Sequence, residues 1–115
     1  MARKNVHSYT VFSSVNATVS QDNSANPTDI SQIDKCSFHC KFSAPNAGNF
    51  HVFARNSKSD DFFELDFGVP LLLAAESECF IDIQTLNASD MYLSWIPTLG
   101  SGTLTVILHM SSTGA

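Results

Sequence analysis

Residues 91–110 read Met91-Tyr92-Leu93-Ser94-Trp95-Ile96-Pro97-Thr98-Leu99-Gly100-Ser101-Gly102-Thr103-Leu104-Thr105-Val106-Ile107-Leu108-His109-Met110. In the second half Leu104, Val106, Leu108 and Met110 share one parity, while Thr103, Thr105 and His109 share the other with Ile107 among them. That is the period of a half-buried strand. In the first half Met91, Leu93 and Trp95 share a parity, and Pro97 removes a backbone donor, which predicts a strand ending near Ile96. Gly100-Ser101-Gly102 supplies the positive φ angles of a tight reversal. The expectation is a carboxy-terminal β-hairpin whose apolar face other strands must cover.

The same alternation recurs upstream. Tyr9, Val11, Val15, Ala17 and Val19 share a parity and predict a first strand. Ser20–Thr28 has loop composition, and Asp29–Asp34 reads as a short strand leading into Cys36–Phe42. There Cys36, Phe38, Cys40 and Phe42 turn inward and His39 outward. Ser43–Asn49 (Ser-Ala-Pro-Asn-Ala-Gly-Asn) carries turn residues throughout, so Cys36–Phe42 and Phe50–Arg55 are expected to form a second hairpin. Phe63, Leu65 and Phe67 alternate with Glu64 and Asp66, and Gly68 breaks that run. Val69–Glu78 contains good helix formers, but Gly68 and Pro70 favour an extended segment, with a helical turn as the alternative. Cys79, Ile81 and Ile83 resume the inward pattern, and Leu86–Asp90 turns into the final pair.

Roughly seven to nine short strands with turn signals about every eight to twelve residues predict an all-β fold, an antiparallel β-sandwich. Jelly-roll and immunoglobulin-like topologies both fit. The lack of a Cys-Trp-Cys core favours the jelly-roll-like form. The 115 residues make one domain, divided into a flexible polar arm at 1–8 and a single sandwich at 9–115.

Charged residues are only 15% of the chain against 43% apolar, and the net charge is −5. The basic residues are scattered, with only Arg3 and Lys4 adjacent, which argues against nucleic acid as a partner. No window reaches the about 18–20 apolar residues of a membrane helix. Polar residues rather than an apolar core follow Met1-Ala2-Arg3-Lys4, so no secretory signal is read and folding in a cytoplasm is expected.

Chemistry is sparse. Cys36, Cys40 and Cys79 are odd in number, and Cys36 and Cys40 on one strand would stand roughly 13 Å apart, too far for a disulfide. Buried thiols are expected rather than a Cys36–His39–Cys40 metal site. Asp60, Asp61, Glu64 and Asp66 lack the order of a calcium loop. His39, His51 and His109 all fall outward, but no metal or cofactor is expected. Ser, His and Asp occur without a Gly-x-Ser-x-Gly elbow, and no phosphate-binding glycine loop is present, so the chain is not expected to be an enzyme. Asn16-Ala17-Thr18 and Asn87-Ala88-Ser89 read as chance sequons. Trp95 belongs to the core by parity, and Tyr92 is the freer aromatic. Outward Phe53, Phe62, Ile96, Leu99 and Ile107 imply a surface covered by a partner.

Asp29–Asp34 before an aromatic strand, Ala47-Gly48-Asn49-Phe50-His51-Val52 with Arg55-Asn56-Ser57 after it, and Trp95-Ile96-Pro97-Thr98-Leu99-Gly100-Ser101-Gly102-Thr103-Leu104-Thr105-Val106 together resemble small β-sandwich virion proteins of tailed bacteriophages. The likeness spans roughly residues 27–110. It is nearest to the capsid decoration, or cement, proteins. The resemblance implies a virion protein on the capsid surface, assembled in the host cytoplasm and bound to the major capsid protein as a homo-oligomer, a dimer or trimer. It carries over no catalytic residues. Arg3 and Lys4 of the arm, with Phe53, Phe62, Tyr92 and Ile107, are the expected partner-binding residues. The alternative is a carbohydrate-binding β-sandwich module of a virion fibre or lectin, which would expose Tyr92 or Trp95 beside Asp or Asn.

Overall fold

The computed structural model describes residues 3–66, 71–83 and 88–114. In chain order the strands are β1 (Arg3–Asn16), β2 (Gln21–Asp22), β3 (Thr28–Asp29), β4 (Lys35–Arg55), β5 (Phe63–Glu64), β6 (Leu71–Ile83), β7 (Asp90–Leu99) and β8 (Thr103–Gly114). Every pairing is antiparallel. The expected break at Gly68, Phe67 of the alternating run before it, and Leu86 and Asn87 of the Leu86–Asp90 turn lie outside the described residues.

The organising element is β4, 21 residues long. Its first half pairs with β8 on one side and with residues 78–83 of β6 on the other. Its second half pairs with β7 on one side and with β5 and the start of β6 on the other. The sheet therefore curls about the middle of β4 and β6 into a sandwich of two layers. The first layer runs β1, β8, β4, β6. The second runs from β2 and β3 through β7 to β4, β6 and β5.

The even residues of β4 stay inward along its whole length. Cys36, Phe38, Cys40, Phe42, Phe50, Val52 and Ala54 all join one core with Met91, Leu93 and Trp95 of β7 and Leu104, Val106 and Leu108 of β8. Trp95 is the largest of these. It packs 4.9 Å from Phe42 and 4.7 Å from Phe50, centroid to centroid, and its indole N–H donates to the Ala17 carbonyl at 3.1 Å. Burying such a cluster contributes several kcal/mol, roughly 2–3 per large apolar side chain.

Four expectations are corrected. The carboxy-terminal run is not a hairpin, because β7 and β8 each pair with β4 and not with each other. The reversal between them docks on the bend of β4 instead. Ser43 Oγ accepts from the Thr103 N–H, Gly102 alone supplies a positive φ, at 70°, and the Asn46 amide binds Ser101. Nor is Ser43–Asn49 a turn between two strands. It is the bent middle of β4, where the ladders slip between Lys41 and Asn46 and between Ala47 and Gly48. Pro45 sits where no ladder needs its missing donor.

The expected arm is also different. Residues 3–8 belong to β1 and pair with β8, from Arg3 opposite Gly114 to Ser8 opposite His109. Further along β1, bulges flank Phe12, and Ser14 takes a left-handed φ of 49°. The bulges shift the phase, so Phe12 is buried in register with Val106. Tyr9, ahead of the bulges, and Val19, past the end of β1, are exposed. Finally, Asp29–Asp34 contributes only the end of β3. Asp29 Oδ1 instead accepts from the Ser31 N–H and hydroxyl, a local turn that stops the strand.

Candidate functional site

Odd residues of β4 face out of the second layer, and cross-strand register sets their neighbours. Phe53 lies opposite Tyr92 of β7 on one side and Glu64 of β5 on the other. The Phe53 and Tyr92 rings stack at 4.7 Å with 9° between planes. Phe62, at the end of the 56–62 loop, meets Tyr92 edge-on at 4.8 Å. Three of the expected partner-binding residues thus converge on one outward aromatic face, all half-buried against one another.

Arg55 completes this face. Its guanidinium lies 4.4 Å from the Phe62 ring centroid, and it grips Asp90 through two bonds, Nε to Oδ1 at 3.0 Å and Nη2 to Oδ2 at 2.6 Å. Asp90 also accepts from the Ser89 hydroxyl. The Arg55 bonds hold the Asp90 carboxyl down at about 2, against the opposing effect of burial. Burial raises the Tyr92 phenol above its ordinary value, and the Asp22 and Glu64 carboxylates add to the shift. Glu64 in turn binds His51 Nδ1 at 3.0 Å. The result is an apolar, aromatic centre rimmed by charge, the make-up of a protein-binding patch.

The remaining expected residues lie elsewhere. Ile107 is half-buried on the outer face of the first layer, between Thr10 and His39 in register. Arg3 and Lys4 fall on β1 opposite Gly114 and Thr113. That outer face has its own features. His39 stacks on Phe80 at 4.2 Å, contacts Glu78 and lies 6.4 Å from the His109 ring. A shallow groove of about 250 Å³ nearby is lined by Ser37, Asp82 and His109, with Val6 and Lys35. Ser37 sits between His109 and Asp82 in register, whereas a hydrolytic triad places the histidine between serine and acid. His109 Nδ1 instead meets the Ser8 hydroxyl at 3.0 Å. Among the described residues no three His, Cys, Asp or Glu side chains converge as a metal site.

Sequence reasoning missed Arg55, whose partner Asp90 becomes its neighbour only through the β4–β7 register. It also missed Phe80 and Val6, which are 64% and 65% exposed. Alternation with inward Cys79 and Ile81 is the signal that turns Phe80 outward. Val6 was hidden because its segment reads as polar.

No protein-family model matches the chain, and no curated protein matches it in sequence. Its fold recurs in solved structures. SPBc2 prophage-derived protein YomS superimposes with a TM-score of 0.70 at 13% identity, covering 96% of each chain. The Tobacco streak virus coat protein matches with a TM-score of 0.52 at 13% identity, over 97% of this chain and 87% of that one. VP2 of the infectious bursal disease virus subviral particle matches at 0.50 and 13% identity, over 97% of this chain and 33% of VP2. This chain therefore has the antiparallel, jelly-roll-like sandwich found in a prophage protein and in viral coat proteins.

Proposed function

We propose that this chain is a non-enzymatic viral structural protein that binds the outer surface of an icosahedral capsid and cements neighbouring coat subunits. The observation that carries the reading is the outward aromatic face of Phe53, Tyr92 and Phe62 with Arg55 beside it. Tyr and Arg in a packed, partly desolvated cluster are the residues that dominate binding at protein interfaces. The viral setting is supported by the fold, which the prophage and coat proteins share. Its partner is the major capsid protein, its place is the virion surface after assembly in the host cytoplasm, and it needs no cofactor. Each copy binds weakly, and repetition over a symmetric shell makes attachment firm.

One observation favours a carbohydrate-binding module instead: the strands beside Tyr92 carry acidic residues, Asp22 opposite Ser94 and Glu64 opposite Phe53. Against it, Tyr92 is stacked on Phe53 and edged by Phe62, so its ring is not an open platform for a sugar.

The test is co-sedimentation of the purified protein with icosahedral shells of the virus that carries its gene. Wild-type protein is expected to sediment with the shells, and the double variant Phe53→Ala, Tyr92→Ala to need at least about tenfold more protein while keeping its circular dichroism. Wild-type protein that ignores the shells, or that binds a glycan array through Tyr92, would overturn the capsid reading.

A further inference from the structure

Two edges of the first layer have no strand partner among the described residues. One is β1 on the side away from β8, and the other is the 78–83 half of β6 on the side away from β4. Edges of this kind present rows of unpaired N–H and C=O groups. The layer alternates in direction at each step from β1 through β8 and β4 to β6, so β1 and β6 run opposite ways. A β1 from one copy set beside β6 of another continues the antiparallel pattern.

The side chains select one register. Val6 is 65% exposed and Phe80 64% exposed, and both lie on the outer face. Val6 is in line with Ser111 and Lys35, and Phe80 lies opposite His39. Setting Val6 opposite Phe80 brings Ser8 opposite Glu78 and Lys4 opposite Asp82, an apolar pair followed along the edges by a basic and an acidic position. Glu78 and Asp82 are both exposed. A slip of one residue would set Val6 against the wrong face of β6. A slip of two would set Val6 against a carboxylate. Twofold pairing of β6 with β6 about Phe80 would oppose Glu78 to Asp82, like charge to like, and pairing β1 with β1 would leave Phe80 uncovered.

We propose that copies of this chain associate head to tail, the β1 edge of one joining the β6 edge of the next with Val6 opposite Phe80. The contact extends the first layer into a continuous antiparallel sheet shared by many copies. Because the two edges differ, the contact is heterologous. It builds a ring where its rotation closes and a filament where it does not. The aromatic face lies on the other layer and stays open, so the inference stands whatever that face binds.

Light scattering over a concentration series tests it. Wild-type protein is expected to reach a multiple of the single-chain mass. Val6→Lys and Phe80→Lys should each stay at the single-chain mass up to at least about tenfold higher concentration, with unchanged circular dichroism because both positions are exposed. Mixing V6C protein with F80C protein under mild oxidation should give a disulfide between the two substituted positions, mapped by mass spectrometry. Wild-type protein that is monomeric throughout, lysine variants that assemble normally, or a V6C protein that crosslinks to itself as readily as to F80C would overturn the proposal.

Discussion

The side chain of Asn46 and the backbone of Ser101 exchange two hydrogen bonds. Oδ1 accepts from the Ser101 N–H at 2.8 Å, and Nδ2 donates to the Ser101 carbonyl at 2.9 Å. The same amide nitrogen also reaches the Ala44 carbonyl at 2.8 Å. A buried side-chain amide thus stands in for a missing rung of sheet, tying the bend of β4 to the reversal between β7 and β8. This contact is what lets β7 and β8 leave each other and pair with opposite halves of β4.

Asn46→Ala is expected to lower stability by about 1–3 kcal/mol, since it removes three part-buried hydrogen bonds, two to the Ser101 backbone and one to the Ala44 carbonyl. Asn46→Asp should cost at least as much at neutral pH, because a carboxylate oxygen would then face two carbonyls. Urea midpoints of the two variants and the wild type check this. A loss below about 0.5 kcal/mol for the alanine variant would mean that the bend does not depend on the amide.

Gly48 lies beneath Trp95 with no room for a side chain. A Cβ there would meet the Ile96 carbonyl oxygen at 2.5 Å, the Trp95 ring at 2.6 Å and Pro97 Cα at 2.9 Å. Two of those atoms are backbone and cannot swing aside, so Gly48→Ala must push β4 from β7. The expected cost is about 1–3 kcal/mol, with a change in Trp95 fluorescence in the folded state. An unchanged denaturation midpoint and spectrum would contradict the close approach.

Why the bend was not legible follows from these same residues. Pro45, Asn46 and Gly48 are turn residues by local chemistry, yet each has a long-range reason to sit in a strand: an absent ladder, a bond to Ser101 and the overlying Trp95. Parity, by contrast, is local. It placed Cys36, Phe38, Cys40, Phe42 and Trp95 inward and predicted the all-β sandwich. It also turned Phe53 outward, while Tyr92 was singled out only as the aromatic without a core position. It could not show that Phe62 folds back onto Tyr92, or that Arg55 meets Asp90, because those contacts depend on strand order. The bulges of β1 broke the parity argument there, so Phe12 took the core position expected of its neighbours.

Cys36 and Cys40 should be poor nucleophiles. Burial, with a smaller push from Asp82, raises the Cys36 thiol to about 11. Burial, and then its neighbour Cys79, raises Cys40 still further. Alkylation requires the thiolate. At pH 8 Cys36 and Cys40 of the folded protein are therefore expected to react with iodoacetamide at least about 100-fold more slowly than in guanidinium chloride. Peptide mass spectrometry of timed samples reads this directly, and rapid labelling of either residue in the folded state would show that the core of the first layer opens.

The pair formed by Arg55 and Asp90 predicts a specific acid response. The folded-state carboxyl sits at about 2, chiefly because it accepts two bonds from Arg55, whereas in an unfolded chain it titrates near about 3.9. On acidification the unfolded chain takes up the proton first. The stabilisation is fully present above about pH 4 and is lost as the pH falls toward about 2. Asp90→Asn should remove about 1.5–3 kcal/mol at pH 7, while below about pH 2 the variant and wild-type curves should converge. Asp22, whose carboxyl is lowered by bonds from Ser24, titrates alike in both proteins and cancels from the difference, whereas Asp29, lowered chiefly by bonds from Ser31, lies opposite Asp90 and loses in the variant the charge that raises it. Urea denaturation across the pH range gives the two curves, and a gap between them that stays constant from pH 7 to pH 2 would rule out the charged pair as its source.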